Sequence, residues 1–250
     1  MVERTHNEKL FLKEFKKLYD KLQNKEFVSI NGKGEQLGSK CVEIIDSHIT
    51  GLDPTQPLLD FGPRKTPEKY CQKELAWYLS EDLNIKGHVD DVLIWKQVCD
   101  KDGFINSNYG NLVFSKENFK QYQHVLEELK AHPDSRRALI VYIRPSIWVE
   151  YNADGMNDFI CTISAQVFIR NNKLVWINTM RSQDCIFGSG SDYYWACHVY
   201  NKLYNDLKET YPDLEIGYIN WNCGSIHLYE KHFELLEKII EENKEVLEEA

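Results

Sequence analysis

The stretch that decides the fold runs from residue 158 to residue 192 and reads DFICTISAQVFIRNNKLVWINTMRSQDCIFGSGSD. Apolar and polar residues alternate on both sides of Asn171-Asn172, which is the pattern of two β-strands joined by a two-residue turn. Asparagine tolerates the positive φ angles that such a turn requires. The stretch therefore predicts a β-hairpin, followed by a glycine-rich loop that ends in a carboxylate.

The register of this hairpin brings one cysteine next to one arginine. If the turn pairs Arg170 with Lys173, Cys161 lies opposite Ser182, and Arg181 is one residue away. A fixed cation lowers the pKa of a thiol and increases the fraction of nucleophilic thiolate. The alternative is that Cys161 is a small buried apolar residue, the usual role of a strand cysteine.

The composition is that of an ordinary globular protein and excludes several classes of partner. The chain has 250 residues, of which 42% are hydrophobic and 28% charged, and its net charge is −9. It is long enough for one large domain. It has no block of Lys and Arg, so it lacks the basic surface typical of proteins that bind nucleic acid or anionic membranes. A phosphate ligand would have to be held by a few arginines.

Cysteine spacing and hydropathy indicate the cellular compartment. The seven cysteines contain no Cys-x-x-Cys pair, which argues against a zinc site or a disulfide framework and for a reducing cytoplasm. The charged N-terminus does not resemble a signal peptide. No run approaches the roughly 18 apolar residues of a membrane span. We therefore expect a cytoplasmic protein with no metal and no membrane partner.

Helical and alternating periodicities are mixed along the chain. Helices are predicted at residues 7–25, 67–79, 91–99, 116–132, 192–211 and 227–249. Strands other than the hairpin are predicted at residues 41–45, 138–143 and 216–221, and residues 103–114 are predicted to form a loop. Because helices and strands do not alternate regularly, the pattern favours an α+β fold. Residues 1–250 show no linker and are predicted to form one domain.

Basic fragments in three places could jointly hold a phosphate. They are Arg136-Arg137, Arg181 followed by Ser182, and Lys33 in an early turn. The planar guanidinium group of arginine suits two oxygens of a phosphate at once. A pair such as Arg136-Arg137 is by itself most often solvated surface.

Taken together and in order, several motifs resemble the thymidylate synthase family, and the resemblance covers most of the chain. The motifs are KELAWYL (73–79), LIWKQVCDKDG (93–103), NSNYG (106–110), DSRR (134–137), the Cys161 strand, MRSQD (180–184), the Gly188 loop and GSIHLYEKH (224–232). The phage deoxycytidylate hydroxymethylase branch is the most similar, on INSNYG, PDSRR, DGMNDFICT and WNCGSIH. Ile160 and Thr162 replace the proline and histidine that flank the nucleophile in ordinary thymidylate synthases.

The resemblance implies a fold and a reaction. The fold is α+β, with a large mixed β-sheet flanked by helices and with the sheets of two subunits packed back to back in a homodimer. The reaction converts deoxycytidylate (dCMP), 5,10-methylenetetrahydrofolate and water to 5-hydroxymethyl-dCMP and tetrahydrofolate. Such an enzyme is a folate-dependent one-carbon transferase of nucleotide biosynthesis.

The resemblance also assigns residues to the chemistry. Cys161 is implied to attack C6 of the pyrimidine, Glu74 to act as general acid and base, and Tyr109 to lie near the C5 proton. The implied folate-binding residues are Trp95, Asp184 and Gly188. Without the resemblance, Glu74 would be interpreted as a solvated helix carboxylate and Trp95 as a core residue.

The nucleotide is implied to be bound by two subunits. Arg181 and Ser182 hold the phosphate from the same subunit, whereas Arg136 and Arg137 come from the partner, so a monomer has an incomplete site. The implied contacts to the sugar hydroxyl are His227 and Tyr229.

Asp192 is the most informative single residue. At this place ordinary thymidylate synthases have an asparagine that reads uracil, with O4 as acceptor and N3–H as donor. Cytosine presents an N4 amino donor and an N3 acceptor instead, and a carboxylate accepts from N4–H but repels O4. Asp192 therefore favours cytosine. Its alternative role is to cap the helix that follows.

Alternatives remain at the level of substrate and product. They are a cytidylate (CMP) 5-hydroxymethylase of pyrimidine-antibiotic biosynthesis, a methylating enzyme of the family and, in a different class, a non-catalytic nucleotide-binding dimer. The sequence departs from the family in two places. Only Lys33 is near the early loop where the family has an arginine for phosphate, and KEVLEEA at the C-terminus lacks the family's apolar tail over folate.

Overall fold

The computed structural model describes residues 3–31 and 37–248. Its helices are α1 His6–Gln23, α2 Glu68–Leu79, α3 Leu93–Val98, α4 Tyr109–Phe114, α5 Gln121–Ala131, α6 Ile147–Glu150, α7 Gly188–Lys208, α8 Phe233–Glu242 and α9 Lys244–Glu248. Its strands are β1 Val28–Asn31, β2 Leu37–Leu52, β3 Leu139–Val141, β4 Thr162–Arg170, β5 Lys173–Met180, β6 Gln183–Asp184 and β7 Glu215–Tyr229.

The strands form one mixed sheet. Six of them follow the order β1-β2-β7-β5-β4-β3, and β6 pairs with β7. The β1–β2, β2–β7 and β3–β4 pairs are antiparallel, and the β6–β7 pair is parallel. The predicted α+β class, with a mixed sheet flanked by helices, is confirmed.

The predicted hairpin is present. Asn171 and Asn172 have φ angles of 50° and 60°, as a two-residue turn of this kind requires. β4 begins at Thr162 and β5 ends at Met180, so Cys161 and Ser182 both lie outside the strands. Their opposed placement stays a prediction.

The chain divides into two compact units. The first unit contains Met1–Pro67, Thr179–Asn201 and Gly217–Ala250, and the second contains Glu68–Asn178 and Lys202–Ile216. The prediction of a single domain stays a prediction.

In the first unit, α1 packs its apolar face on β2. The Thr5 hydroxyl accepts a hydrogen bond from the backbone N–H of Glu8, and the Glu8 carboxylate accepts one from the Thr5 N–H, so a capping box begins the helix. Fully buried side chains on this face are Phe11, Leu12, Phe15 and Leu18.

The C-terminal segment of this unit differs from the prediction. A single helix over residues 227–249 is wrong, because β7 continues to Tyr229 and the helical segment divides into α8 and α9 at Asn243. The buried Asn243 side chain accepts a hydrogen bond from Arg4 Nε at 2.6 Å and donates to the Phe61 carbonyl at 3.0 Å. These bonds hold the break between the two helices.

In the second unit, α2, α4 and α5 pack on one another, and α5 packs on β3 and β4. The loop predicted over residues 103–114 is wrong in its last part, since Tyr109–Phe114 is helical. The Asn108 side chain accepts from the Asn111 N–H at 2.8 Å and so begins this helix. A Cβ at Gly110 would lie 1.7 Å from the Tyr78 carbonyl oxygen, so only glycine allows α4 to approach α2 this closely.

Two further helices begin at residues other than those predicted. α5 begins at Gln121, since Phe119 and Lys120 have positive φ angles that a helix excludes. α7 begins at Gly188, four residues before the predicted start, so Asp192 lies within the helix. The alternative role of Asp192 as its N-cap is therefore wrong. Among residues 3–31 and 37–248, none of the helices has both the length and the apolarity needed to cross a bilayer.

Candidate active site

Cys161 lies immediately before β4 and is partly exposed. Its Sγ donates a weak hydrogen bond to the Phe159 carbonyl at 3.7 Å. The other partly exposed thiol belongs to Cys99, whose pKa is raised by burial and by the neighbouring Asp100. Burial also raises the pKa of Cys41, to about 11. A thiol must ionise to attack, so the raised pKa values of Cys41 and Cys99 make these two cysteines poor nucleophiles.

The buried carboxylate of Asp158, three residues before Cys161, binds the segment at residues 106–107. Asp158 accepts hydrogen bonds from the Asn106 N–H at 2.6 Å, the Ser107 N–H at 2.7 Å and the Ser107 hydroxyl at 2.5 Å. Ser107 lies two residues before Tyr109, and Asp158 three before Cys161. The carboxylate therefore ties the segment that carries the predicted nucleophile to the one that carries the predicted tyrosine.

Tyr109 is the first residue of α4 and is buried. Its ring stacks on Tyr78 with centroids 5.4 Å apart and meets the Tyr142 ring edge-on at 5.2 Å. These two contacts restrict the direction in which its hydroxyl group points.

Glu74 belongs to a chain of hydrogen bonds that the sequence did not indicate. The Trp95 indole Nε1–H donates to the Tyr70 hydroxyl at 3.2 Å, and this hydroxyl donates a short hydrogen bond to the Glu74 carboxylate. Glu74 is 5% exposed, so it is not the solvated carboxylate of the alternative interpretation. The i, i+4 spacing of Tyr70 and Glu74 on one helix was the signal that could have identified Tyr70.

The Arg136 and Arg137 side chains are exposed. Gln166 Nε2 donates to the Arg136 carbonyl at 2.9 Å and fixes the backbone there. Arg137 forms a 3.0 Å salt bridge with Glu128, although three-quarters of its side chain remains exposed. Exposed ion pairs of this kind contribute little to stability, so Arg137 can exchange Glu128 for another anion.

In the first unit, the parallel β6–β7 pairing places Asp184 beside His227. Asp184 Oδ1 accepts from the backbone N–H of Ile186 at 3.0 Å and of Phe187 at 2.8 Å, so it also holds the turn that leads into α7. His227 and Tyr229 both lie on β7, and their rings meet edge-on with centroids 5.1 Å apart.

The charge state of His227 follows from its burial. Desolvation lowers the pKa of this imidazole, although Asp184 and Glu43 act in the opposite direction. A buried imidazole with a lowered pKa is neutral at pH 7 and can both donate and accept a hydrogen bond. That suits contact with a hydroxyl group.

The backbone of Arg181 is fixed by β7. Its carbonyl accepts from the Ser225 N–H at 3.1 Å, and a Cβ at Gly224 would lie 3.0 Å from the same oxygen. The Arg181 and Ser182 side chains are partly exposed, which leaves them accessible to an anion.

Asp192 lies one turn after Gly188 on α7 and is partly exposed. Burial raises its pKa to about 7, the charge of Asp184 adds to the rise, and a hydrogen bond from Gln183 opposes it. A Cβ at Gly188 would lie 3.3 Å from Asp192 Oδ2, so this glycine gives the carboxyl group room. Near pH 7 both the neutral and the ionised forms of Asp192 are available.

The predicted site residues are thus divided between the units. The second unit contains Glu74, Trp95, Tyr109, Arg136, Arg137 and Cys161, and the first contains Arg181, Ser182, Asp184, Gly188, Asp192, His227 and Tyr229. Lys33 and the last two residues of KEVLEEA lie outside the described residues. Within the described parts of the chain, no group of three or more His, Cys, Asp or Glu side chains is arranged to hold a metal ion.

Comparison with known proteins decides the family. Residues 32–248 match the family model described as thymidylate synthase. The chain belongs to the thymidylate synthase family. The resemblance inferred from the motifs, from KELAWYL to GSIHLYEKH, is confirmed, as is the prediction of a one-carbon transferase of this family.

Similar proteins of two kinds, deoxycytidylate 5-hydroxymethyltransferases and thymidylate synthases, align with most of this chain. The chain is 40% identical to the deoxycytidylate 5-hydroxymethyltransferase of Enterobacteria phage T6 over 219 residues, which covers 86% of this chain and 85% of the relative. The enzyme of the same name from Enterobacteria phage T4 is 39% identical over the same coverage. A thymidylate synthase of Buchnera aphidicola subsp. Schizaphis graminum is 28% identical, over 84% of this chain and 78% of the relative.

Proposed function

We propose that this protein is a deoxycytidylate 5-hydroxymethyltransferase, which converts dCMP, 5,10-methylenetetrahydrofolate and water to 5-hydroxymethyl-dCMP and tetrahydrofolate. The observation that carries the proposal is the carboxyl group of Asp192, at the place where ordinary family members have an asparagine, with its pKa raised to about 7. The similarity to phage enzymes of that name, over 86% of the chain, supports it.

Recognition of cytosine follows from the chemistry of a carboxyl group. One oxygen of Asp192 accepts from the cytosine N4 amino group, and the other, when protonated, donates to N3. A pKa of about 7 makes the protonated form available at neutral pH without excluding the ionised form. Uracil presents an acceptor at O4 and a donor at N3, the reverse of cytosine, so the acceptor oxygen of Asp192 would repel O4.

The nucleophile and the acid-base group come from the second unit. The Cys161 thiolate bonds to C6 of the cytosine, and the electron density gained at C5 makes C5 nucleophilic. Glu74, held by Tyr70, moves protons and orders water near the base. Once the one-carbon unit is joined to C5, loss of the C5 proton to a base would break the bond between that unit and the folate nitrogen, so that tetrahydrofolate leaves and C5 carries an exocyclic methylene group. Water then adds to this methylene group. The C6–sulfur bond then breaks and releases the product.

The residues present fit a folate co-substrate. Asp184 can accept from amino and N–H groups of a pterin, and the partly exposed Trp95 indole offers a flat apolar surface. When bound, 5,10-methylenetetrahydrofolate supplies the one-carbon unit. Gly188 completes this set, since a Cβ there would lie only 3.3 Å from Asp192 Oδ2.

The nucleotide phosphate would be shared by two subunits of a homodimer. Arg181 and Ser182 follow β5 and are accessible, and Arg136 and Arg137 are exposed and can reach a ligand of a partner subunit. Large apolar side chains exposed on strands support a sheet-mediated dimer, namely Ile45, Leu139, Val141 and Tyr218.

The dimer can be tested by complementation. Cys161→Ala and the Arg136→Ala/Arg137→Ala double variant are each expected to be inactive. After equal amounts are mixed and the subunits exchange, about half of the dimers are mixed and half of their sites are native, so about a quarter of the activity returns. An inactive mixture with demonstrated subunit exchange would show that the arginines do not act across the interface.

The function itself is tested by product analysis. The protein is incubated with 5,10-methylenetetrahydrofolate and, separately, dCMP, CMP or dUMP, and the nucleotide products are identified by mass spectrometry. We expect 5-hydroxymethyl-dCMP from dCMP. A preference for CMP would indicate a ribonucleotide enzyme, and methylated dUMP would indicate a thymidylate synthase. Binding without any product would indicate a nucleotide-binding dimer.

A further inference from the structure

Helix α6 exposes two large apolar side chains that the proposed site does not use. Trp148 is 73% exposed and Val149 is 74% exposed, whereas the preceding Ile147 is buried and anchors the helix. They continue into the partly exposed Phe159, and we call these three side chains, Trp148, Val149 and Phe159, the α6 patch. Adjacent exposed apolar side chains, unlike single ones, indicate a surface that another molecule covers.

The α6 patch reaches the segment of the predicted nucleophile. The Trp148 ring meets the Phe159 ring edge-on, with centroids 5.0 Å apart and planes at 73°. Tyr151 packs on the same Phe159 ring at 5.3 Å, and its carbonyl accepts from the Asp158 N–H at 3.0 Å. Phe159 is two residues before Cys161, and its carbonyl accepts the weak hydrogen bond from Cys161 Sγ. These contacts hold α6 beside the Cys161 segment.

The loop after α6 also contacts the helix that carries a predicted folate residue. The Asn157 N–H donates to the Val98 carbonyl at 2.8 Å. Val98 is the last residue of α3 and lies three residues after Trp95. The loop that follows α6 therefore contacts the end of α3 and then leads directly to Cys161.

The charges on α6 favour an uncharged aromatic ligand. Arg144 Nη2 forms a 2.7 Å salt bridge with Glu150, the last residue of the helix, so the two charges neutralise each other. The helix then offers an indole and an aliphatic side chain. Because the Trp148 and Phe159 rings are nearly perpendicular, a flat ring that stacks on one meets the edge of the other, a favourable arrangement for aromatic groups.

We propose that Trp148 and Val149 bind the folate co-substrate, with the Trp148 indole stacked on its p-aminobenzoyl ring and Val149 packed at the edge of that ring. The inference rests on the proposed function, because it adds residues to the binding site of 5,10-methylenetetrahydrofolate. The carbon to be transferred joins the pterin to the nitrogen of the p-aminobenzoyl group. That carbon must reach C5 of the cytosine, next to the C6 atom that bonds to Cys161. The p-aminobenzoyl ring is therefore brought close to the Cys161 segment, where the α6 patch lies.

Removal of the indole should weaken folate binding and leave nucleotide binding unchanged. The experiment measures the Kd of tetrahydrofolate by calorimetry on the full-length protein saturated with dCMP. Trp148→Ala should raise this Kd about tenfold or more, because a stacked ring and its buried area are lost. Val149→Thr keeps the shape of the side chain but adds a hydroxyl group and should raise it about threefold. Trp148→Phe keeps a ring and should stay within about threefold of the wild type.

Phe119→Ala is the matched control. Phe119 is 80% exposed and lies before α5, so this substitution removes a ring of similar exposure from outside the α6 patch. The Kd of tetrahydrofolate should not change. Thermal unfolding checks that each variant is folded, which we expect because Trp148, Val149 and Phe119 are all exposed.

Steady-state kinetics separate folate binding from a structural role. If Trp148 contacts the folate, Trp148→Ala raises the KM for 5,10-methylenetetrahydrofolate, while kcat at saturating folate stays within about threefold of the wild type. If Trp148 only supports Phe159 and the Cys161 segment, kcat falls and the Kd of tetrahydrofolate is unchanged. That second pattern would overturn the proposal.

Hydroxyl-radical labelling provides a readout that does not depend on activity. Peptide mapping by mass spectrometry gives the oxidation rates of Trp148 and Phe119 in the protein alone, with dCMP, and with dCMP and tetrahydrofolate. The ratio of the two rates corrects for radicals consumed by the folate. This ratio should fall several-fold when tetrahydrofolate is bound and should stay the same with dCMP alone.

The outcomes are distinguishable. Wild-type affinity for tetrahydrofolate in the folded Trp148→Ala variant, or an unchanged labelling ratio in the ternary complex, would overturn the role of the α6 patch. If the wild type still forms 5-hydroxymethyl-dCMP, the proposed function stands. An altered oligomeric state of Trp148→Ala with an unchanged Kd of tetrahydrofolate would show that a second copy of the chain covers the patch, which also overturns the inference. A wild type that neither binds tetrahydrofolate nor forms product would overturn the proposed function, and the inference would fall with it.

Discussion

Removal of one hydroxyl group tests the chain of hydrogen bonds behind Glu74. In Tyr70→Phe the ring remains, but Glu74 loses a short hydrogen bond and the Trp95 indole N–H loses its acceptor at 3.2 Å. A hydrogen bond to a charged group contributes about 1.5–3 kcal/mol. If this free energy is lost in the transition state, kcat falls by about 10- to 150-fold. The Kd of dCMP should change little, since the substitution leaves Cys161 and Asp192 intact.

The assay is the rate of 5-hydroxymethyl-dCMP formation at saturating dCMP and folate, together with the Kd of dCMP. Tyr19→Phe is the matched control, because it removes the same atom from a partly exposed ring on α1, which lies in the first unit. Trp95→Phe completes a double-mutant cycle. Trp95, Tyr70 and Glu74 form one chain of hydrogen bonds. The fold-decrease of kcat in the double variant should therefore be smaller than the product of the decreases in Tyr70→Phe and Trp95→Phe. A Tyr70→Phe enzyme with wild-type kcat would refute this reasoning.

Three other predictions concern the site residues. Cys161→Ser should abolish turnover while the Kd of dCMP stays within a few-fold of the wild type, and product formation by this variant would contradict the nucleophile assignment. Asp158→Asn should lower the free energy of unfolding by about 1–3 kcal/mol in urea, because an amide cannot serve all three donors from Asn106 and Ser107. An unchanged free energy of unfolding would mean that the hydrogen bonds accepted by Asp158 do not contribute to stability. In Cys161→Ser, where no thiol titrates at position 161, the affinity for dCMP should be level below pH 7 and fall toward tenfold per pH unit above it, since a raised pKa of about 7 keeps the needed proton on Asp192 only at lower pH. A profile that is flat from pH 6 to 9 would argue against a protonated Asp192.

The parts of the fold that the sequence predicted are those determined by neighbouring residues. The hairpin follows from alternation around Asn171-Asn172, and α1 from apolar residues at helical spacing. The sequence does not predict α4, because a single asparagine, Asn108, begins this helix. The helix also contains Gly110, a residue that disfavours helices but allows close packing on α2. The end of β7 was assigned to a helix because the acidic, apolar pattern after it continues backward to His227.

The site was predictable where a residue type itself indicates chemistry. Cys161, Glu74 and Asp192 are identified by the motifs around them and by the chemistry of a thiol or a carboxyl group. Gln183 was not, because its orientation depends on Trp221, a residue 38 positions away. The alternation of a strand cannot show that these two side chains meet. Such contacts between distant segments are what the three-dimensional structure adds.

The central claim is that Cys161 bonds to the same cytosine ring that Asp192 recognises. It is tested most directly by incubating the protein with 5,10-methylenetetrahydrofolate and 5-fluoro-dCMP or 5-fluoro-dUMP. Fluorine at C5 cannot leave as a cation, so the adduct should be trapped. Peptide mapping by mass spectrometry should then find it on Cys161 with the cytosine analogue, and far less with the uracil analogue. An adduct on another cysteine, a stronger adduct with 5-fluoro-dUMP, or no adduct with a bound analogue would contradict the account.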